Sequence, residues 1–378
     1  MQNGKFINIV TRMQYVPRWD EYAPKFEDNT ASHSYRCAVY GLIAALIEQK
    51  QYGKDPDVLK IVCRAIFHDL NEVITGPIKH RTKKSEEVRE HIYRLEKEAS
   101  TEIVSYLSQS LQPIFTDFIV CAEDDSYEGQ LVDGVDTFDA MMFCHREVLY
   151  GSTYFFADKY EELADKLRRH HLPSIRTLMA AVDAGDELYD FLFSVLMLDR
   201  VRRWKGKVNT VYDDDAIHGF RSTALGIFNS YLEKIKYGVE IDILAVVGKL
   251  LGHDIVEEVT GDVLGPVKHS SPEIKRAFEA YERKVNLDLV HKLPPYMHEA
   301  FISYTVEAKE NTYEGKMVDL VDKLDALIKV NMERRNNPSE YEYVYRHQLR
   351  VVQQTYEQPS AVFFLAYILH DLEFPTFD

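Results

Sequence analysis

The stretch HDLNEVITG at 68–76 recurs as HDIVEEVTG at 253–261, 185 residues further along the chain. Outward from it, EGQLVDGVDTFDA at 128–140 recurs as EGKMVDLVDKLDA at 314–326, where the offset has grown to 186. Because the offset is nearly constant over such distances, these repeats belong to one long duplication. The chain is therefore predicted to contain two copies of one structural unit, fused head to tail.

The boundary between the copies is predicted from the way each copy ends. The apolar run ELYDFLFSVLML at 187–198 resembles SAVFFLAYILHDL at 360–372, so we expect it to form the last helix of the first copy. This gives one unit over residues 1–190 and a second over residues 191–378. No Pro- or Gly-rich linker separates them, which predicts two units packed rigidly together.

The patterning of both copies is helical. Residues 85–110 and 130–150 carry apolar side chains at helical spacing, and Asp55-Pro56 predicts an N-cap followed by proline at the first helical position. Alternating β-branched runs bounded by turns are absent from the sequence. We therefore expect an all-α protein with about six helices per copy, arranged as two tandem helical bundles.

The charge of the chain limits its partners. The 378 residues carry a net charge of −16. That charge argues against non-specific binding to a nucleic-acid polymer, which needs a basic surface. A site for an anionic substrate would need local lysine, arginine or metal charge to reverse this field.

The sequence shows no sign of export or membrane insertion. Its first ten residues lack an apolar signal core, and the apolar run Ala361–Leu369 is too short to span a bilayer. The cysteines show no CxxC spacing, which favours free thiols in a reducing compartment over disulfides or a zinc site. We expect a cytoplasmic protein whose thiols are Cys37, Cys63, Cys121 and Cys144.

Each copy carries a set of residues suited to a metal ion: an isolated His, a His-Asp pair 35 residues later, and a lone Asp 68 or 69 residues beyond the second His. Two imidazoles and two carboxylates suit a first-row divalent ion with open positions. Such an ion lowers the pKa of its water and neutralises phosphoryl charge, as phosphate ester hydrolysis requires. The candidate ligands are His33, His68, Asp69 and Asp136 in the first copy, and His218, His253, Asp254 and Asp322 in the second.

Candidate acid–base groups accompany these ligands. Glu72 follows His68 by four residues, and Glu257 follows His253 by the same distance, so each pair shares one helical face. A carboxylate beside a metal-bound water can orient that water or carry its proton. We therefore interpret both glutamates as catalytic, the alternative being solvated residues at a helix end.

Taken together, these motifs resemble the HD-domain metal-dependent phosphohydrolases, and most closely their bacterial 5′-deoxynucleotidase branch. The resemblance covers nearly the whole chain as two units. Besides the His-Asp pair, it rests on an Arg-Trp pair before the first His, on Glu-x-x-Thr-Gly, on Pro-x-Lys-His, and on the EGQLVDGVDTFDA segment.

The resemblance implies the removal of the 5′-phosphate from deoxynucleoside monophosphates. It implies one divalent ion per copy, cobalt or manganese in the first place, with magnesium, zinc, nickel or iron also compatible. Members of this branch are typically homodimers, so a fused pair implies a pseudo-dimer within one chain and hence a monomer.

The resemblance also implies residues that bind the substrate. The arginines would bind phosphate, since a guanidinium matches phosphate oxygens, and the tryptophans would wall the sugar, core packing being their alternative role. The threonines would bind the ligand or cap a helix end, and the lysines would bind phosphate. These residues are Arg18, Trp19, Thr75 and Lys79 in the first copy, and Arg203, Trp204, Thr260 and Lys268 in the second.

The two copies depart from the family pattern at different positions. The second copy has Asp262 after Thr-Gly, as the pattern expects, whereas the first has Pro77 and a loop four residues shorter. The first copy keeps Ser-His-Ser at 32–34, whereas the second reads Ile217-His218-Gly219, and the pattern expects a serine beside this His. If Asp262 assists protonation or positions water, the second copy carries most of the turnover and the first binds nucleotide more than it cleaves it.

Three other functions remain open at this point. A deoxynucleoside triphosphohydrolase is the nearest enzyme alternative, because other HD proteins have that activity. A nucleotide-binding regulator with one weak site is a second, although intact ligands in both copies argue against it. A cyclic-nucleotide phosphodiesterase is a third. Only the resemblance of the Arg-Trp pair to the 5′-deoxynucleotidase pattern argues against it.

Overall fold

Side-chain caps and apolar stripes make this chain helical. Asn29 and Asp214, at equivalent positions of the two copies, each accept a hydrogen bond from a backbone N–H in the first turn of a long helix, at 3.0 Å and 2.8 Å. The computed structural model describes residues 3–83, 85–268 and 270–373. Within them the only strands are β1 (Pro17–Arg18) and β2 (Asp28–Asn29), which pair antiparallel, so the all-α prediction is confirmed.

Among the described residues, the first half of the chain forms ten α-helical segments, two of them single turns. These are α1 (Asn3–Arg12), α2 (Thr30–Tyr52), α3 (Val58–Phe67), α4 (Glu72–Thr75), α5 (His80–Lys83), α6 (Arg89–Ser105), α7 (Gln112–Ile119), α8 (Tyr127–Leu149), α9 (Tyr154–Arg168) and α10 (Pro173–Ala184).

The second half repeats this order. Its helices are α11 (Glu187–Leu196), α12 (Asp215–Leu232), α13 (Ile243–Gly252), α14 (Glu257–Thr260), α15 (Gly265–Lys268), α16 (Pro272–Val290), α17 (His298–Thr305), α18 (Tyr313–Asn336), α19 (Pro338–Thr355), α20 (Pro359–Phe363) and α21 (Leu369–Glu373). A π-helical turn, Phe364–Ile368, joins α20 to α21, so this final segment corresponds to α10. The estimate of six helices per copy was too low, because it overlooked short and moderately amphipathic segments.

Two details of the sequence interpretation were wrong. The N-cap before His68 is Asp57, not Asp55, because the Asp57 side chain accepts from the backbone N–H of Lys60 at 3.0 Å. The run at 187–198 is not the last helix of the first copy. It forms α11, which precedes Arg203 just as α1 precedes Arg18. The predicted boundary at 190/191 falls inside α11, and we propose instead the turn at Gly185, whose φ of 60° ends α10.

The reason for this misassignment lies in the packing of the first helix of each copy. On α1, Phe6 contacts Phe67 and Phe115 of its own copy and stacks on Phe228 of the other, with ring centroids 6.1 Å apart. On α11, the Leu192 carbonyl accepts a 3.1 Å hydrogen bond from Tyr40 of the first copy. Each first helix therefore lies between the two copies, and an apolar pattern alone does not tell which copy it belongs to.

The centre of the interface is the contact between α2 and α12, the helices that carry the isolated histidines. Tyr35 on α2 donates a 2.7 Å hydrogen bond to the Leu251 carbonyl of the second copy. Its ring occupies the space beside Gly219, where a Cβ atom would lie 2.4 Å from the ring. The glycine that replaces serine in the second copy is therefore required by packing between the copies.

Among the described residues, no helix is both long enough and apolar enough to cross a membrane.

Gly219→Ala tests this interface. The added methyl group would overlap the Tyr35 ring, and overpacking of a core costs about 1–3 kcal/mol of unfolding free energy. We expect a lower midpoint in thermal and chemical denaturation. Gly265→Ala is the matched control, because a Cβ atom there meets nothing within 4 Å. Equal stability of the two variants would contradict the assigned packing.

Candidate active site

The four candidate metal ligands of the first copy converge on one point. His33 lies on α2, His68 and Asp69 lie at the end of α3, and Asp136 lies in the middle of α8. His33 Nε2 is 3.2 Å from His68 Nε2 and 3.1 Å from Asp136 Oδ1. His68 Nε2 is 3.3 Å from Asp69 Oδ2. Residues separated by up to 103 positions thus present four donor atoms to one small volume.

The second copy repeats this geometry. His218 Nε2 is 3.4 Å from both His253 Nε2 and Asp322 Oδ1, and 3.3 Å from Asp254 Oδ2. Adjacent ligands of an octahedral ion with bonds of about 2.1 Å lie about 3 Å apart, and the distances in both copies approach that value. Two nitrogen and two oxygen donors would leave two positions open for water or substrate. The arrangement therefore fits a divalent metal ion in each copy.

A buried network aims the histidine of the first copy at this point. His33 Nδ1 donates to Asp139 Oδ2 at 2.6 Å, which leaves Nε2 facing the metal position. Arg36 donates to the other oxygen of Asp139 at 2.6 Å and also to Asp28 at 3.0 Å. Burial opposes ionisation of Asp139, but Arg36 and His33 outweigh it and hold its pKa well below the usual range.

The same network exists in the second copy. His218 Nδ1 donates to Asp325 at 2.7 Å, and Arg221 donates to Asp325 at 2.6 Å and to Asp213 at 2.8 Å. Sequence reasoning missed these residues in both copies. A signal was available, because the Arg and Asp positions repeat at the same offsets as the ligands.

Cys37 lies beside the first metal position, with its Sγ 3.6 Å from His33 Nδ1. Burial raises the pKa of this thiol to about 12 without a metal ion, and its sulfur lies close enough to His33, His68 and Asp136 to be a further candidate donor. The equivalent residue of the second copy is Ser222. All four cysteines are free thiols, as the sequence predicted.

Glu72 and Glu257 begin the short helices α4 and α14 directly after the His-Asp pairs. Burial, and then the charge of Asp69, raises the pKa of Glu72 to about 7. Burial, and then the charges of Asp254 and Asp215, raises the pKa of Glu257 to about 10. A nearby divalent cation would lower both values, because it favours ionised carboxylates. Without a metal ion, Glu72 therefore titrates near neutral pH, whereas Glu257 stays protonated there.

The two candidate phosphate-binding arginines lie against the metal ligands. Arg18 Nη1 donates to Asp69 Oδ2 at 3.3 Å, and Arg203 Nη1 donates to Asp254 Oδ2 at 3.1 Å. Arg203 also donates to Asp215 at 3.0 Å. A guanidinium in this place could donate to the oxygens of a phosphate bound next to these aspartates.

The tryptophan that follows each arginine has an unfavourable backbone. Trp19 has φ of 61° and Trp204 has φ of 58°, in the left-handed region that bulky residues rarely adopt. Trp19 is stacked on Phe143 with ring centroids 5.7 Å apart, and Trp204 lies against Tyr341 at 6.4 Å. The conformation costs about 1–2 kcal/mol, and its presence at both equivalent positions points to a functional constraint.

The remaining candidates contact other groups. The Thr75 and Thr260 hydroxyls donate to backbone carbonyls at 3.0–3.4 Å. These contacts are those expected if the threonines cap a helix end. Lys79 is paired with Glu21, and Lys268 is paired with Glu282 at 2.6 Å. A phosphate would have to compete with these carboxylates, so the phosphate-binding role of both lysines stays a prediction.

The loops that follow Thr-Gly differ as the sequence indicated. Asp262 is half-buried near Glu257, and its negative charge contributes to the raised pKa of that glutamate. Pro77 occupies this position in the first copy and is exposed. The predicted role of Asp262 in protonation or water positioning remains a prediction.

Two further differences between the copies were not foreseen. Thr30, which donates to Glu72 at 3.2 Å in the first copy, is replaced by Asp215. Glu123, at the mouth of the first site, is replaced by Lys309, whose Nζ lies 2.7 Å from Asp322 Oδ2. Desolvation and the charges of Asp136 and Asp69 raise the pKa of Glu123 well above its usual range. The two sites therefore have different charges around the same ligands.

Comparison with known proteins also divides the chain into two similar halves. The family described as 5′-deoxynucleotidase YfbR-like matches the chain twice, over residues 5–183 and 190–372. A 5′-deoxynucleotidase of Vibrio vulnificus is 26% identical over 159 residues, covering 41% of this chain and 80% of the relative. The 5′-deoxynucleotidase YfbR of Escherichia coli is 25% identical over 160 residues, covering 42% and 80%. An HD-domain phosphohydrolase structure from Listeria innocua, 26% identical, covers 49% of this chain and 89% of its own, with a TM-score of 0.45.

Asp139→Asn and Asp325→Asn test the buried network. Each change weakens the hydrogen bond that aims a histidine at the metal position. We therefore expect a loss of about 10–100-fold in metal affinity at the altered site alone, measured by calorimetric titration of the metal-free protein. Asp288→Asn, an exposed change on α16, is the control. A folded variant with unchanged metal affinity at its own site would refute the role.

Proposed function

Because both halves of the chain match it, the chain belongs to the YfbR-like 5′-deoxynucleotidase family, and we propose that it hydrolyses deoxynucleoside 5′-monophosphates to deoxynucleosides and phosphate. The observation that carries the proposal is the convergence, in each copy, of two histidines and two aspartates with an arginine and a glutamate beside them. That combination can hold a metal ion, bind a phosphate and move a proton at one place.

The roles follow from these contacts. A bound divalent ion would activate water and neutralise phosphoryl charge. Arg18 and Arg203, each touching an aspartate ligand, would bind the phosphoryl oxygens and fix the ester beside the ion. Glu72 and Glu257, with pKa values raised by burial, would accept a proton from the attacking water or deliver one to the leaving 5′-oxygen.

The strained tryptophans are proposed to select the sugar. Trp19 belongs to a rigid aromatic cluster with Tyr22, Phe155 and Phe156, so it can act as a fixed wall next to Arg18. A wall that contacts the deoxyribose face would exclude a 2′-hydroxyl group by size. A short phosphate is favoured over a triphosphate, because Lys79 and Lys268 are already paired with glutamates.

The finer expectations extend this proposal. Cobalt or manganese is the proposed metal, because two imidazoles with two carboxylates suit both ions. The internal pseudo-dimer would replace the symmetric pair of a homodimer, so a monomer is expected. The cytoplasmic location stays a prediction.

A product assay tests the function. Metal-free protein is supplied with cobalt, manganese or magnesium and incubated with deoxynucleoside monophosphates, ribonucleoside monophosphates and deoxynucleoside triphosphates. We expect deoxynucleosides and phosphate from the first class alone, and no turnover after chelation of the metal. Release of triphosphate from the third class would support the triphosphohydrolase alternative instead, and tight binding without products would support a regulator.

Glu72→Gln and Glu257→Gln test the proton transfer. Each amide keeps the shape of the side chain but cannot carry the proton, so we expect the double variant to lose about 10²–10⁴-fold in kcat while retaining metal. Glu98→Gln, exposed on α6, is the matched control. A double variant that turns over at the unaltered rate would remove the glutamates from the mechanism.

A further inference from the structure

The two sites differ in the charge that faces the candidate ligands Asp136 and Asp322. Lys309 lies in the turn before α18, and its Nζ lies 2.7 Å from Asp322 Oδ2. Its side chain is 39% exposed, so the stem lies at the mouth of the site while the ammonium reaches inward. A second lysine, Lys323, has its Nζ 3.8 Å from the same oxygen.

The first copy has opposite or neutral groups at these places. Glu123 is equivalent to Lys309 and Thr137 to Lys323. Among the described residues, the only ion-pair partner of Asp136 is His33. The first site therefore has an acidic side chain where the second site has an ammonium group, whereas the second site has Asp215 where the first has Thr30.

The two oxygens of Asp322 have different partners. Oδ1 faces His218 Nε2 at 3.4 Å, on the metal side, and Oδ2 faces Lys309. A divalent ion held through Oδ1 would share the Asp322 carboxylate with the ammonium on Oδ2. Repulsion between an ammonium and a divalent ion a few ångströms apart, even when screened as in water, corresponds to about tenfold in affinity. The ion pair with Lys309 also makes the Asp322 carboxylate a weaker donor to a metal ion.

We propose that Lys309 makes the two metal sites unequal, so that the first copy binds its ion tightly and the second copy binds its ion weakly. The inference rests on the proposed function, because it concerns the metal that the function requires. It sets a condition on the prediction from Asp262: the second copy can dominate turnover only when metal is abundant. At limiting metal, the first copy carries the reaction.

A calorimetric titration of the metal-free 378-residue chain with cobalt tests the proposal. We expect two binding steps that differ by at least about tenfold. Asp69→Ala should abolish the tight step, and Asp254→Ala should abolish the weak step. A single affinity for both sites would overturn the proposal, as would the reverse assignment.

Charge exchange at the equivalent positions identifies the cause. Lys309→Met keeps the apolar stem but removes the charge, and Lys309→Glu introduces the residue that the first copy has at this position. Both should raise the metal affinity of the weak step by about tenfold or more. Glu123→Lys should weaken the tight step. Lys316→Glu, an exposed charge reversal on α18, is the control and should change neither step. Circular dichroism verifies the fold of each variant, and a folded Lys309→Met protein with an unchanged weak step would refute the role of Lys309.

Failure of this inference and failure of the proposed function give different results. Equal cobalt affinities with metal-dependent hydrolysis of deoxynucleotides would overturn only the inequality of the sites. Stepwise cobalt binding that responds to Lys309, without hydrolysis of any nucleotide, would support the inequality and overturn the function.

Discussion

The active site of each copy depends on one buried interaction, the hydrogen bond from a histidine Nδ1 to a carboxylate that an arginine holds ionised. In the first copy these groups are His33, Asp139 and Arg36, all at most 1% exposed. Since the carboxylate occupies Nδ1, the lone pair of Nε2 is fixed toward the metal position. A buried carboxylate without its arginine would take up a proton, and the histidine would lose its orientation.

The second determinant is the internal pseudo-symmetry. Helices α2 and α12 contact one another through the faces adjoining their histidines, and α1 and α11 lie between the copies. Each site is therefore built on a helix that also forms the interface. A fused chain does not have to keep equivalent positions identical, as a symmetric homodimer does. The chain has Ser34 in one copy and Gly219 in the other, and likewise Glu123 in one copy and Lys309 in the other. A symmetric homodimer could not have such differences between equivalent positions.

Sequence reasoning selected candidate ligands that the fold brings together, but not the groups that orient them. The eight histidines and aspartates and the two glutamates stood out because their residue types are rare in combination and their spacing is repeated. Asp139, Arg36 and Glu123 were missed because a single aspartate, arginine or glutamate on a helix is usually a solvated surface residue. The pairing of Lys79 with Glu21 was also beyond the sequence, because it depends on a neighbour that the fold supplies.

The sequence by itself determined that this chain is a duplicated all-α protein with two candidate His-Asp metal sites, because periodicity and repeated spacing are local properties of the chain. The tertiary structure alone decided which copy each first helix contacts, why glycine follows His218, and which charge faces each metal position. These depend on packing between segments far apart in sequence. In the sequence Lys309 is an ordinary lysine, and only the fold places its ammonium group 2.7 Å from Asp322, a candidate metal ligand.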